Sequence, residues 1–334
     1  MNGSSMPKPR VVVICGPTGI GKTRLSMALA NRFNGGIVSA DSMQIYRHMN
    51  IGTAKPDADQ QAAAPHYMID VADPDEAYDA ARYAREAQEA IASLEQQGRL
   101  PLIIGGTGLY IKALLYGLFD AAPSSPRLRE KLRNEAAQKG TRILHERLAA
   151  CDAKAAGRIH PNDAYRIIRA LEVHALTGRP ISEYQHDHGF ANARYCFLKI
   201  GLYMDRQALY AQINQRVEQM VAEGLLREVR SLQEMGYDPE LKSMQSLGYR
   251  HMTAYLQGCL DWNEAIDQMK KDTRRYAKRQ LVWFRKDPDV FWMGPDSVSA
   301  ARGRVPSFFR QPAQHRKRKT PVSGFMPGYG GGFG

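Results

Sequence analysis

Residues 16–23 read Gly-Pro-Thr-Gly-Ile-Gly-Lys-Thr, which satisfies the phosphate-loop pattern at Gly16, Gly21, Lys22 and Thr23. Glycines at these spacings let the backbone of Gly16, Pro17, Thr18, Gly19, Ile20 and Gly21 turn left-handed and wrap an anion, with the amide N–H groups of every residue but Pro17 available to it. Lys22 is placed to reach a terminal phosphate, and the Thr23 hydroxyl to hold Mg²⁺. The loop does not say what carries the phosphates, because kinases, ATPases, GTPases and enzymes that expel pyrophosphate all use it. Two further strings lie downstream: Asp41-Ser42-Met43-Gln44-Ile45-Tyr46-Arg47 and Gly105-Gly106-Thr107-Gly108-Leu109-Tyr110.

The elements around these strings decide whether they meet. Patterning predicts strands over Val11–Cys15, Gly36–Ala40, Tyr67–Val71 and Leu100–Gly105, and helices over Lys22–Arg32, Asp79–Gln97 and Leu109–Leu115. Such alternation argues for a parallel sheet with helices on both faces. Ligands of these sheets bind beyond the carboxyl ends of the strands. The phosphate loop, Asp41 and the Gly105–Gly108 turn each follow a strand directly, so one site is expected to hold all three. The predicted class is α/β: a P-loop NTPase-like parallel sheet flanked by helices, with an all-helical insertion domain. The first part of the core is expected over residues 8–121 and the insertion over 122–194, opening at the Pro/Ser-rich stretch 121–126. The second part of the core, with C-terminal helices, is expected over 195–298, including a strand at Phe197–Leu202 and long helices at 206–235 and 262–286. A basic, Gly-rich tail without fixed structure is expected over 299–334.

Composition bounds the function more loosely. The 334 residues are 43% hydrophobic and 24% charged, as in an ordinary globular protein. No apolar run approaches a membrane span, and the N-terminal residues lack an apolar signal core. The 4 cysteines show no metal-ligand or redox pairing, which fits a reducing cytoplasm. The histidines have no metal spacing. Net charge is +12, but residues 301–334 hold Arg302, Arg304, Arg310, Arg316, Lys317, Arg318 and Lys319 and no acid. Total charge is therefore a weak pointer to nucleic acid. The helix at 262–286 is a better one: Lys270, Lys271, Arg274, Arg275, Lys278, Arg279, Arg285 and Lys286 recur at helical spacing, with Ile266, Met269, Tyr276, Ala277 and Leu281 expected to face the core. A basic helix of this kind is otherwise a solvated face.

The strings at 41–47, 51–56 (Ile-Gly-Thr-Ala-Lys-Pro) and 105–110, followed by Asn162–Val173, Gln245–Arg250 and Thr273–Phe284, occur in the order seen in the tRNA dimethylallyltransferase family, which the chain resembles over about residues 10–290. The resemblance implies transfer of a dimethylallyl group from its diphosphate to the exocyclic amine of the adenosine 3′ of the anticodon in tRNA, with Mg²⁺ and release of diphosphate. It implies that the phosphate loop grips the prenyl diphosphate. It implies that Asp41 accepts the amine proton, that Thr107 lies near the bridging oxygen and that Arg216 contacts the diphosphate. The same residues also have structural readings: Asp41 as a helix N-cap, Thr107 as a turn residue and Arg216 as part of a solvated helix face. Contacts to the tRNA anticodon stem-loop are carried over to Asp41, Ser42, Met43, Gln44, Thr107, Arg129, Tyr165, Arg166, Arg169, Gln245, Gly248, Tyr249, Arg250, Arg274, Arg275, Lys278, Arg279 and Gln280. The chain departs from the family pattern at Gly19-Ile20 and at Gln245-Ser246-Leu247. A cytoplasmic monomer with no membrane partner is expected.

Two other enzymatic readings and one binding reading remain at this stage. A phosphate-loop small-molecule kinase would share residues 10–40 but gives no reason for the string at 41–47. An isopentenyltransferase acting on free adenine nucleotides needs neither a helical insertion nor a basic face. An RNA-binding switch gives no role to Asp41 and Thr107 beside the loop.

Overall fold

The computed structural model describes residues 8–118 and 124–310, and these separate into two compact units, one built from residues up to Leu115 together with those from Arg194 onward, the other spanning Tyr116–Ala193. In chain order the first unit opens with β1 (Arg10–Cys15), α1 (Lys22–Phe33), β2 (Gly35–Ser39), α2 (Ala58–Ala63), β3 (His66–Tyr67), α3 (Ala80–Gln96), β4 (Leu100–Gly105) and α4 (Gly108–Tyr116). The helical unit holds α5 (Pro126–Lys139), α6 (Thr141–Cys151), α7 (Ala153–Ala156), α8 (Ala164–Thr177) and α9 (Ile181–His188). The chain then adds β5 (Cys196–Leu202), α10 (Arg206–Ala222), α11 (Leu225–Glu234), α12 (Tyr249–Leu256), α13 (Trp262–Arg285), β6 (Val290–Met293) and α14 (Val298–Arg310).

The six strands form one parallel sheet in the order β3-β2-β4-β1-β5-β6. Their Val- and Ile-rich sequences suit strands buried on both faces. Val12, Ile14, Leu102, Ile104, Ile200 and Leu202 form one continuous core with Leu25 and Leu29 of α1. Register pairs Cys15 of β1 with Gly105 of β4 and with Gly201 of β5, and Ser39 of β2 with Ile104. The residues that follow these strands therefore leave the sheet at one edge, which places the phosphate loop, Asp41 and Thr107 side by side.

Three local expectations change. The strand expected over Tyr67–Val71 shrinks to His66–Tyr67, because Met68 (φ 63°) and Asp70 (φ 56°) turn the chain out of the sheet. The helix expected over 206–235 is two, since Gly224 at φ 103° breaks it into α10 and α11. The tail expected to lack structure from residue 299 begins instead with a helix, α14. Ala301 and Val305 of α14 are buried in the core that holds Ile200 and Met293, and Arg10 Nη1 donates to the carbonyls of Phe308 (3.0 Å) and Phe309 (2.6 Å), closing the helix C-terminus. Gly303, Pro306 and the arginines obscure this helix in the sequence. Residues 311–334 lie outside the described residues. Val305→Asp places an unpaired charge in the core and is expected to lower stability by about 3 kcal/mol or more, read by denaturant unfolding; an unchanged midpoint would show that α14 contributes nothing to the fold.

The helical unit has its own core of Leu132, Leu144, Leu148, Ile167, Leu171 and Val173. Within it Glu172, fully buried, accepts from the Ser125 amide at 2.7 Å and pairs with Arg129 at 2.9 Å and Arg169 at 2.5 Å. Burial alone would raise its carboxyl; Arg169, the Ser125 amide and Arg129 together hold it below the ordinary range.

Candidate active site

The phosphate loop is shaped by its glycines. Gly19 (φ 78°) and Gly21 (φ 90°) hold left-handed conformations that a side chain would strain, and Gly21 stands immediately before the first residue of α1. This aims the free amides of the helix N-terminus into the loop. Lys22 folds back over the loop, and its Nζ donates to the carbonyls of Gly16 (3.1 Å) and Pro17 (2.8 Å). Burial lowers the Lys22 ammonium to about 8; Asp41 opposes the shift and Arg216 adds to it. Arg216, half-buried on α10, is itself lowered by burial and raised by Asp41. Lys22, Arg216 and Asp41 thus share one electrostatic environment although they are far apart in sequence. Glu223 also acts on Arg216, so two cations and two carboxylates lie in this environment before any anion binds.

Asp41 caps no helix. Its Oδ1 accepts the Met43 amide at 2.9 Å in a turn that follows β2, which leaves the second carboxylate oxygen outside that turn. Thr107 is tied to the same turn: its Oγ1 accepts the Ser42 amide at 3.0 Å, and its own amide donates to the Ala40 carbonyl at 3.1 Å. Burial pushes the Tyr276 hydroxyl of α13 well above the ordinary tyrosine range, with Asp41 adding to the shift, and Gln280 of the same helix bonds the Thr18 amide and the Gly106 carbonyl. Helix α13 therefore reaches the site from its inward face, a role that basic periodicity alone did not assign to it.

Between Asp41 and Asp70 the chain is held by polar side chains. Gln44 accepts from the Ser39 hydroxyl (2.9 Å) and donates to the carbonyls of Thr53 (3.3 Å) and Ala54 (3.1 Å). Lys55 Nζ joins the Tyr46 carbonyl, Asn50 Oδ1 and Asp70 Oδ1 at 2.9, 2.8 and 2.6 Å. Glu228 of α11 accepts the amides of Asn50, Ile51 and Gly52 at 3.0, 2.8 and 3.2 Å, and the Tyr249 hydroxyl at 2.6 Å. The Ile-Gly-Thr-Ala-Lys-Pro string is thereby explained as a clamp. Its glycine lies against the Tyr249 ring, where a Cβ would stand 2.4 Å from Cε2, and its lysine, buried along its stem, pairs with the half-exposed Asp70 carboxylate. Glu228 carried no signal in the sequence, since a lone Glu on an amphipathic helix reads as a solvated residue.

Several carried-over RNA contacts have other roles here. Tyr249 is fully buried beneath Glu228 and Gln280 is 6% exposed, so neither presents its side chain to a macromolecule. Gly248 is also buried and starts α12 at φ 88°. Gln245 donates to the Pro239 carbonyl at 2.9 Å, and Arg250 pairs with Asp272 at 2.6 Å. Arg274 donates to Asn214 at 2.6 Å across the α10–α13 contact. Arg275, exposed, lies 3.2 Å from Asp272. Lys271, Arg275, Lys278, Arg279, Arg285 and Lys286 make the outer face of α13, while Ala265, Met269, Ala277, Gln280 and Phe284 make its buried face. Of the expected inward set, Met269 and Ala277 are buried, while Ile266, Tyr276 and Leu281 sit at the border of that face, half-buried. In the helical unit Arg129 and Arg169 hold Glu172, Arg166 pairs with Asp163 at 2.9 Å, and Tyr165 is 74% exposed.

The family model for IPP transferase matches residues 44–287. The chain belongs to the IPP transferase family. A protein named tRNA dimethylallyltransferase from Desulfosudis oleivorans is 56% identical over 293 residues, covering 88% of this chain and 93% of the relative. Another from Desulfatibacillum aliphaticivorans is 51% identical, covering 90% and 98%. Among solved structures, the full-length tRNA isopentenylpyrophosphate transferase of Bacillus halodurans superposes with TM-score 0.67 at 39% identity, covering 90% of this chain and 97% of that one. A eukaryotic dimethylallyltransferase acting on tRNA gives TM-score 0.78 at 28% identity, covering 91% and 80%. In this IPP transferase chain the matched region takes in Arg216, Thr107 and all of α11 to α13, while the phosphate loop and Asp41 lie just before it.

Proposed function

We propose that this chain transfers a dimethylallyl group from dimethylallyl diphosphate to the exocyclic amine of an adenosine in the anticodon loop of tRNA, 3′ of the anticodon, releasing diphosphate. The observation that supports the proposal is that the phosphate loop, the Asp41 turn and the Thr107 turn are tied together, Thr107 to the Ser42 amide and Gln280 to both Thr18 and Gly106, in a chain whose relatives bear the name tRNA dimethylallyltransferase. An adenine amine is a weak nucleophile. Asp41 accepts one of its hydrogens as the nitrogen attacks the allylic carbon, the carbon–oxygen bond to the diphosphate breaks, and the proton ends on the carboxylate. Lys22, Arg216 and the loop amides meet the charge that gathers on the leaving diphosphate, and Thr107 lies beside Asp41 at the reacting centre. The Thr23 hydroxyl, exposed in the first turn of α1, is a hard oxygen donor suited to Mg²⁺ held mainly by diphosphate oxygens. When bound, Mg²⁺ would neutralise part of the diphosphate charge. We place the reaction in the cytoplasm and the working form as a monomer; no helix of the described residues is long and apolar enough to cross a membrane.

The decisive experiment supplies labelled dimethylallyl diphosphate and Mg²⁺ with unmodified tRNA in one tube and AMP in another. Label in tRNA alone is expected. Label in AMP, or consumption of ATP with no label in either, would overturn the proposal. The outer face of α13 gives a second expectation. Lys278→Ala with Arg279→Ala should weaken tRNA binding and reduce the slope of log affinity against log salt by about 1–2. An unchanged slope would take this face out of the RNA interface.

A further inference from the structure

Gln280 is a buried polar side chain on the helix whose outer face carries Lys278 and Arg279, and it touches both loops of the donor site. Its Oε1 accepts the amide of Thr18 in the phosphate loop at 2.9 Å, and its Nε2 donates to the carbonyl of Gly106 at 3.0 Å. Gly106 has no side chain, and a Cβ there would stand 2.1 Å from Nε2, so the turn before Thr107 is shaped around this amide. One planar amide therefore sets the separation of the two loops that flank the reacting groups, and it stands on the RNA-facing helix.

We infer that Gln280 is a positioning residue, not an RNA contact: it fixes the phosphate loop relative to the Gly105–Gly108 turn and so transmits the seating of α13 to the donor diphosphate. The inference rests on the prenyl-transfer reading above. A carboxamide is required because one end must accept and the other must donate. Glutamate can accept from Thr18 but repels the Gly106 carbonyl; protonated, it can meet both partners. Methionine fills the volume and meets neither.

The test compares wild type, Gln280→Met and Gln280→Glu for kcat, KM for dimethylallyl diphosphate, tRNA affinity and thermal midpoint over the pH range in which a buried glutamic acid titrates. Gln280→Met should lose at least about tenfold in kcat while staying folded and binding tRNA as wild type does. Gln280→Glu should approach wild-type kcat as pH falls and diverge as it rises. Wild-type kcat in Gln280→Glu throughout, with Gln280→Met slow, also supports the assignment, since a carboxyl that stays protonated serves both partners. Full kcat in Gln280→Met, a loss confined to tRNA affinity, or an equal loss in Gln280→Glu at every pH overturns it. If wild type itself fails to prenylate tRNA, the broader reading has failed, and the Gln280 assignment is then read from calorimetric binding of inorganic pyrophosphate. Weaker binding in Gln280→Met supports it, and unchanged binding overturns it.

Discussion

Asp41→Asn should lower kcat by about 10²–10⁴-fold while leaving tRNA affinity and fold nearly unchanged. The substitution isolates proton acceptance. The Asp41 Oδ1 that accepts the Met43 amide at 2.9 Å has a counterpart in the Asn carboxamide oxygen, so the turn holding Ser42 beside Thr107 is kept. What is lost is the charge and the basicity. A second consequence follows from the same geometry. Asp41 supports the Lys22 ammonium against burial, so its neutralisation should move Lys22 below its value of about 8. Steady-state kinetics with saturating tRNA measure the first effect, and the pH dependence of pyrophosphate binding measures the second. A variant with wild-type kcat would assign the proton to another group.

Lys22 carries the other large expectation. Lys22→Ala should weaken transition-state stabilisation by about 10²–10³-fold, as loss of a preorganised charge at a developing anion does. In wild type the pH dependence has a defined sign. The free-protein value of about 8 means that the ammonium form falls away as pH rises through 8, and an anionic diphosphate selects the ammonium. Diphosphate binding should therefore weaken above about pH 8 and take up a proton near it, detectable by calorimetry in buffers of different ionisation enthalpy. Folding runs in the opposite sense. A lysine lowered from 10.5 to about 8 in the folded chain favours its neutral form there, so the contribution of Lys22 to stability improves as pH rises between those values. Lys22→Arg should abolish both dependences, because a guanidinium does not titrate in this range. Persistence of the binding pH dependence in Lys22→Arg would place the titrating group elsewhere.

The candidate site residues were legible because their signals are local. The phosphate loop is a contiguous string whose glycines answer to backbone conformation, and the alternation of β-branched runs with helical periods predicts a parallel sheet, hence a common edge for whatever follows each strand. Asp41 and Thr107 are expected together on that rule, and the observed form of it is one turn in which Asp41 accepts the Met43 amide and Thr107 accepts the Ser42 amide. The resemblance supplied roles that spacing alone left open.

Side-chain orientation was not legible in the same way. Basic residues at helical spacing mark α13 as a charged helix, but periodicity does not say that Gln280 points inward to Thr18, 262 residues away in sequence. Nor does it say that Tyr249 lies beneath Glu228, whose carboxylate gathers three backbone amides from a segment about 180 residues earlier. A buried polar residue differs from an exposed one only in its partners, and the partners come from distant segments. Helix α14 escaped for a related reason, since its arginine-rich face masks the two apolar positions, Ala301 and Val305, that anchor it to the sheet. The sequence by itself determined the class of fold, the anion-binding loop and the edge where the chemistry gathers, because strand, loop and helix propensities act between near neighbours. Only the tertiary structure decided which polar residues hold the loops and which remain exposed, because hydrogen bonding of buried groups is settled by what the whole chain brings beside them.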